Sequence, residues 1–259
     1  MEGIPRGRFC WHELLTSDPE GAQAFYRDVV GWSTQAWEAG GEPYTMWMTG
    51  ETAVGGVMKL PPPAAEAGAP PHWITYVCVP EADGAIERTK ARGGALVWGP
   101  MDVPEVGRVA GLADPHGAHF AVHQPAGEAP GHDGPARLGE MSWHELASLG
   151  WEEAWGFYSD LFGWQKTDAM DMGEMGTYQM FGRGAHPLGG IFDKPPQVPV
   201  PNWLPYIRVP DIAAAVARVK EGGGQLLNGP MEVPGGDLVA QCMDPQGAMF
   251  ALHQVAQGS

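Results

Sequence analysis

Trp11-His12-Glu13-Leu14 and Trp143-His144-Glu145-Leu146 are the same four residues at a shift of 132, and they decide how this 259-residue chain is read. Working outward, Phe25-Tyr26 returns as Phe157-Tyr158 and Gly31-Trp32 as Gly163-Trp164 at that same shift. Gly55-Gly56-Val57 returns as Gly189-Gly190-Ile191 at a shift of 134. Trp73, Tyr76, Asp114-Pro115 and His123-Gln124 return as Trp203, Tyr206, Asp244-Pro245 and His253-Gln254 at a shift of 130. A shift that changes only in the intervening loops marks a duplicated domain. The reading is therefore a first domain at 7–125, a Gly/Pro/Ala-rich linker at 126–138 and a second domain at 139–256.

Each copy divides once more. Residues 9–15 alternate as a strand does, and Asp18-Pro19-Glu20 then supplies an N-cap, a proline at the first helical position and an early acid. Ala22, Phe25, Tyr26, Val29 and Val30 fall on one helical face, which Gly31 ends. Short strands separated by Gly and Pro follow, and the cycle restarts near residue 73, giving a βαβββ order twice per copy. The first helix of the second copy begins at Gly150-Trp151, a weaker start. Pro61-Pro62-Pro63 through Pro71, and Pro195 through Pro201, read as stiff extended connectors.

Composition narrows the function. Gly (38) and Pro (25) make up about a quarter of the chain, yet 44% hydrophobic residues and 11 Trp supply the apolar surface that disordered chains lack. A net charge of −16 repels phosphate backbones and anionic lipid, so neither nucleic acid nor a membrane is an expected partner. No apolar run approaches the roughly 18 residues of a membrane span, and the opening residues show no signal core. Cys10, Cys78 and Cys242 are odd in number and unlike a metal knuckle or redox pair in spacing, which fits free thiols in a cytoplasmic protein. The oligomeric state is open; a monomer is compatible with domains fused in tandem.

Four βαβββ units, with Phe25-Tyr26-Arg27-Asp28-Val29-Val30-Gly31-Trp32 closing the first helix and Asp114-Pro115-His116-Gly117 before a last strand, resemble the vicinal oxygen chelate superfamily of glyoxalases, bleomycin resistance proteins and extradiol dioxygenases. The Trp-x-Glu-Leu openings and Gly-Ala-x-Phe-Ala-x-His-Gln ending are similar to its tandem-domain actinobacterial glyoxalase-like "hydroxylase" group. The resemblance implies an α+β fold of two tandem domains, each of two βαβββ units with a curled mixed sheet enclosing a cavity. It also implies ligand positions for a divalent metal. These fall at Trp11, Ile74 and Ala121, and at Trp143, Leu204 and Ala251, none of which offers a lone pair. The expectation is no metal and no other cofactor, with one divalent metal ion as the alternative.

Strand alternation puts Trp11 and Glu13 on one face and His12 on the other. Trp11, Tyr76, Trp143 and Tyr206, with Met46, Trp47 and Met180, are then the candidate ligand-binding wall, which suits a flat and largely apolar small molecule. Basic residues on this face are few, Lys59 and Arg208, which disfavours phosphonates and glutathione adducts. Glu13 with His123 and Glu145 with His253 are the candidate catalytic acid–base pairs. The leading function is binding of an aromatic natural product or drug. The alternative is a glyoxalase-like lyase or isomerase, or an accessory hydroxylase-type enzyme, either metal-dependent or using those Glu/His pairs.

Overall fold

A computed structural model describes residues 3–38, 44–184 and 186–256. In the first copy the elements are β1 (Phe9–Thr16), α1 (Pro19–Val30), β2 (Ser33–Trp37), β3 (Tyr44–Thr49), β4 (Thr52–Lys59), α2 (Pro62–Glu66), β5 (His72–Cys78), α3 (Ala82–Ala91), β6 (Ala95–Val103), β7 (Gly107–Ala113) and β8 (His119–Pro125). The second copy follows as β9 (Met141–Ser148), α4 (Trp151–Phe162), β10 (Gln165–Asp171), β11 (Thr177–Arg183), β12 (His186–Asp193), β13 (Asn202–Arg208), α5 (Ile212–Glu221), β14 (Gln225–Glu232), β15 (Leu238–Met243) and β16 (Met249–Gln254). A 3-10 turn, Gly173–Met175, precedes β11.

The α+β class and the βαβββ order are as expected. Strands pair in the orders β2-β3-β4-β1-β5-β8-β7-β6 and β10-β11-β12-β9-β13-β16-β15-β14. Both sheets are mixed: β1 runs parallel to β4 and β5 to β8, while the outer strands are antiparallel. Neither sheet closes on itself.

The chain condenses into two compact units, one of residues 1–11, 74–134 and 143–203, the other of 12–73, 135–142 and 204–259. Each unit thus combines a βαβββ motif from one sequence copy with the complementary motif from the other. In the first unit α3 packs on α4, and Phe120, Phe157, Tyr158, Phe162, Trp164, Phe181 and Trp203 fill the core. In the second α1 packs on α5, with Tyr26, Trp32, Trp47, Trp73, Phe250 and Leu252 inside.

A buried polar chain repeats in both cores. In the second unit Trp73 Nε1 donates to the Tyr26 hydroxyl (3.0 Å), which donates to Asp244 Oδ2 (3.2 Å). In the first, Trp203 Nε1 donates to Tyr158 (3.1 Å), which donates to Asp114 Oδ2 (3.0 Å). The other carboxylate oxygen shapes the Asp-Pro-x-Gly turn, since Asp114 Oδ1 accepts from the His116 and Ala118 amides and Asp244 Oδ1 from those of Gln246 and Ala248. Buried polar groups are tolerated because each finds a partner.

Helix starts follow the reading with one substitution. Asp18 accepts from the Gly21 amide and Asp211 from Ala214, as N-caps do. Gly150 has no side chain to cap α4, and Asp193 at the end of β12 takes its place by accepting from the Trp151 amide at 2.7 Å. Gly31 and Gly163 end α1 and α4 in the left-handed conformation. The expected extended connector after Pro61 is instead the short helix α2. Pro62 and Pro63 occupy its first turn, where their missing amide protons cost nothing, and Ala64 and Ala65 continue it. The segment between the copies is anchored: Asp133 accepts from Arg8 and Arg183, which hold its carboxyl down at about 2, while Thr49 Oγ1 donates to the Leu138 carbonyl.

Tyr26→Phe keeps the ring and deletes only the hydroxyl, leaving the Trp73 N–H and one Asp244 oxygen buried without it. Urea unfolding should show a loss of about 1–3 kcal/mol, and Tyr158→Phe should match it; a change within experimental error in both variants would mean that the chain does not support the cores.

Candidate functional site

The second copy brings three of its polar and aromatic side chains into one line. Trp143 leaves β9 with its indole half-buried and donates from Nε1 to the Tyr178 hydroxyl at 2.7 Å. Tyr178 in turn donates to Glu145 Oε2 at 3.1 Å. The Tyr178 ring lies on Gly190 so closely that a Cβ there would sit 2.0 Å from it, and its other neighbour is the stacked ring of Phe192. In the other compact unit Tyr44 lies on Gly56 in the same way, again 2.0 Å from where a Cβ would be. Neither tyrosine was singled out by the sequence reading; the repeated Gly-Gly dipeptides opposite an aromatic third strand were the available signal.

Trp11 and Trp98 pack against a buried cluster that includes Tyr76, Ile74, Ala121, Cys10 and Cys78. Tyr206 accepts at its hydroxyl from Gln241 Nε2 at 3.3 Å. Met46 and Met180 are half-buried on their strands. Trp47 is fully buried in the aromatic core against Tyr26, Trp32 and Trp73. Met46 and Trp47 are consecutive on β3 and turn to opposite faces, which takes Trp47 out of the expected wall. His144 stacks on Phe9 at 3.6 Å and its Nδ1 lies 3.1 Å from the Leu188 carbonyl, a packing role. His12 is likewise buried, which pulls it from 6.5 to about 3 against a hydrogen bond to the Val54 backbone. Glu13 is buried on β1, opposite Gly56 of β4.

The two repeated histidines of the last strands are engaged differently. His123 Nε2 lies 3.0 Å from the Val106 carbonyl, which can only accept, so Nε2 carries the proton and Nδ1 presents a lone pair. Nδ1 faces Cys10 Sγ at 3.6 Å, and Cys78 completes a buried group whose donor atoms all lie within 4.8 Å of one another. A hydrogen bond from Cys10 holds the Cys78 thiol down against the cost of burial, while burial pushes Cys10 up. In the second copy Ser142 and Arg208 stand where Cys10 and Cys78 do in the first. There His253 Nδ1 lies 2.8 Å from Ser142 Oγ and Nε2 2.9 Å from Asp237 Oδ2. Burial alone would raise Asp237, but the Ala256 amide and His253 hold its carboxyl below the usual carboxylate range. Ser142 Oγ has one proton and two acceptors within reach, His253 Nδ1 and, farther away at 3.2 Å, the Tyr206 carbonyl. Two surface clefts, one beside Lys194 and Pro195 and one beside Arg92 and Pro115, are lined by none of these side chains.

Comparison with known proteins agrees with this architecture. The model of the Glyoxalase/Bleomycin resistance protein/Dioxygenase superfamily matches residues 8–122 and 150–252. The chain is 31% identical over 252 residues to the provisionally named glyoxylase CFP32 of Mycobacterium tuberculosis, covering 95% of this chain and 94% of that one. It is 30% identical over 270 residues to the anthracycline biosynthesis protein DnrV of Streptomyces peucetius, covering 100% and 97%. Among solved structures, the Mn(II)-bound glyoxalase from Novosphingobium aromaticivorans superposes with a TM-score of 0.66 at 16% identity, covering 98% of this chain and 83% of that one. The 2,3-dioxygenase LapB from Pseudomonas sp. KL28 gives 0.65 at 11% identity, covering 98% and 93%.

The expectation that the chain carries no cofactor is corrected by these observations. The fold neighbours include a Mn(II)-bound glyoxalase, and the described residues contain a Cys10–Cys78–His123 group able to hold a metal. The sequence reading tested only the positions carried over from the superfamily. Ile74, Ala121, Leu204 and Ala251 there are indeed buried and apolar, and the Trp143 indole nitrogen is occupied as a donor, so those positions do not fit a cation. Cys10 and His123 are 113 residues apart, and only sheet pairing brings them together.

His12 gives this region a pH signature. Between pH 6.5 and about 3 the unfolded chain takes up a proton that the folded chain refuses. Stability contributed by neutral His12 is therefore complete above pH 6.5 and falls by up to about 1.4 kcal/mol per pH unit as the pH drops through that window. Denaturant unfolding against pH should show this component in the native chain and not in His12→Gln; parallel curves would contradict the buried neutral imidazole.

Proposed function

Because the chain belongs to the Glyoxalase/Bleomycin resistance protein/Dioxygenase superfamily, we propose that it binds a flat, largely apolar small molecule, of the aromatic natural-product or drug class, against aromatic walls built from its repeated strands. The observation that carries this reading is the Trp143–Tyr178–Glu145 line. An indole tethered at its nitrogen has little rotational freedom left to lose when a ring stacks on its face, which favours binding. Next along that line, the Glu145 carboxylate supplies a hydrogen-bond acceptor for a polar substituent. Trp11 and Trp98 beside Tyr76 form the wall of the first copy, and Tyr206 with Gln241 adds another aromatic-polar pair. An anthracycline is a ligand of this chemistry, and a relative that covers nearly the whole chain carries anthracycline biosynthesis in its name. We assign the sites to sequence domains 7–125 and 139–256.

A catalytic variant of this reading is supported by the same line. A carboxylate that accepts from a phenol can exchange a proton through it with a bound ligand, and Glu145 accepts from Tyr178. His123 and His253, the other members of the sequence-derived acid–base pairs, would tune neighbouring polar groups.

The test is fluorescence titration of the full chain with anthracycline and other planar polycyclic ligands. Trp143→Ala should weaken binding by about 1–3 kcal/mol, the value of one stacking platform, while costing less stability than the roughly 3–5 kcal/mol of a deleted core aromatic. Gly190→Ala should reproduce most of that loss, because its methyl group displaces the Tyr178 ring from Glu145. Unaltered affinity in both folded variants would remove the site. Glu145→Gln that binds normally but no longer turns over a ligand would establish the catalytic variant.

A further inference from the structure

We propose that Cys10, Cys78 and His123 form a binding site for one thiophilic divalent cation per chain, Zn(II) being the expected occupant, at a place distinct from the positions the superfamily resemblance assigns to metal. The donor set carries the argument first. Two sulfurs and an imidazole nitrogen are the ligands that zinc takes in preference to magnesium, calcium or manganese, which favour oxygen. Acidic surface residues bind hard cations weakly and everywhere, whereas these three donors lie inside, at 6%, 0% and 3% exposure.

Geometry carries it next. Zn–S bonds of about 2.3 Å and Zn–N bonds of about 2.0–2.1 Å, set at the tetrahedral angle, separate sulfur from nitrogen by about 3.6 Å. The Cys10 Sγ to His123 Nδ1 distance is 3.6 Å, and the remaining separations within the group do not exceed 4.8 Å.

Orientation of the imidazole is the third observation. A histidine that binds metal through one nitrogen characteristically gives its other N–H to a carbonyl or carboxylate, which fixes the ring and the tautomer. His123 does this with the Val106 carbonyl at 3.0 Å, leaving Nδ1 with its lone pair toward the sulfurs. Strand pairing supplies the rest: Tyr76 of β5 faces Ala121 of β8 and Cys78 faces His123, in parallel register, while Cys10 comes from β1. Binding forms two Zn–S bonds and one Zn–N bond, the thiol protons pass to solvent, and a fourth coordination position is left for another donor.

The second copy is a control written into the same chain. Ser142, Arg208 and His253 occupy the equivalent positions, and a guanidinium cannot give electrons to a cation. Arg208 Nη1 instead donates to the Ala136 carbonyl, and His253 is held between Ser142 and Asp237. The stoichiometry expected is therefore one ion, not two.

The full chain, reduced and stripped with a chelator, would be dialysed against Zn(II) and analysed for metal, and in parallel loaded with Co(II) for optical spectra. One zinc per chain is expected, and Co(II) should show sulfur-to-metal charge transfer together with the intense visible bands of a four-coordinate site. Cys78→Ser and His123→Asn should each weaken retention at least tenfold, while His253→Asn keeps one equivalent. Circular dichroism and melting without metal identify variants that do not fold. For those, the wild-type chain supplies the readout: zinc should protect two of its three thiols from alkylation. Failure of the reduced wild-type chain to retain zinc would overturn the proposal. So would a folded Cys78→Ser that binds as the wild type does, or a Cys10–Cys78 disulfide, seen as the loss of two hydrogens, forming in zinc-saturated protein.

Discussion

Each compact unit of this protein turns on a tryptophan–tyrosine–aspartate chain closed inside its aromatic core. The tyrosine comes from the first helix of one sequence copy, and the aspartate from the last turn of the other copy: Tyr26 with Asp244, and Tyr158 with Asp114. Apolar packing alone would tolerate many ways of laying a helix on a sheet. A buried carboxylate does not, because it must accept its hydrogen bonds in one arrangement or bear the cost of desolvation. Burial does raise both aspartates above the usual carboxylate range, and the amide and tyrosine donors act against that rise. The chain therefore specifies which motif pairs with which, a choice that two nearly identical copies would otherwise leave degenerate.

With the frame fixed twice, the chemistry on it was free to diverge. Cys10 and Ser142, Cys78 and Arg208, and His123 and His253 are equivalent positions on equivalent strands. In one copy the imidazole is anchored by a backbone carbonyl and faces sulfur; in the other it is anchored by Asp237 and faces a hydroxyl. The same holds for the third strands, since Tyr44 and Tyr178 both lie on a glycine while their neighbours differ. A glycine under each ring is a packing requirement, and so the Gly-Gly dipeptides survive in both copies.

The fold was largely legible because duplication marks it in letters. Repeated Trp, Phe-Tyr and Asp-Pro pieces located both copies, and the capping pattern at Asp18 and the closing Gly31 located the first helix. What the letters could not give was pairing: Tyr26 and Asp244 are 218 residues apart, and nothing local to either names the other. The three-proline connector misled for a local reason, since proline suits both an extended segment and the first turn of a helix. Alternation put Trp143 and Glu145 on one face, and Tyr178 joins them there by hydrogen bonds. Trp47, grouped with Met46 as part of the wall, lies in the core, on the opposite face of the same strand. The metal-capable group was missed because Cys10, Cys78 and His123 lie on three strands, each beside or beyond the position where a ligand was sought.

The central claim is that one duplicated frame carries two different chemistries at equivalent positions. Anomalous diffraction at the zinc edge, from crystals of the full chain grown with zinc, tests it most directly. The account predicts one strong peak per chain, between Cys10, Cys78 and His123, and none beside Ser142, Arg208 and His253. Peaks of equal strength at both places, or a peak beside Trp11 or Trp143 instead, would contradict it.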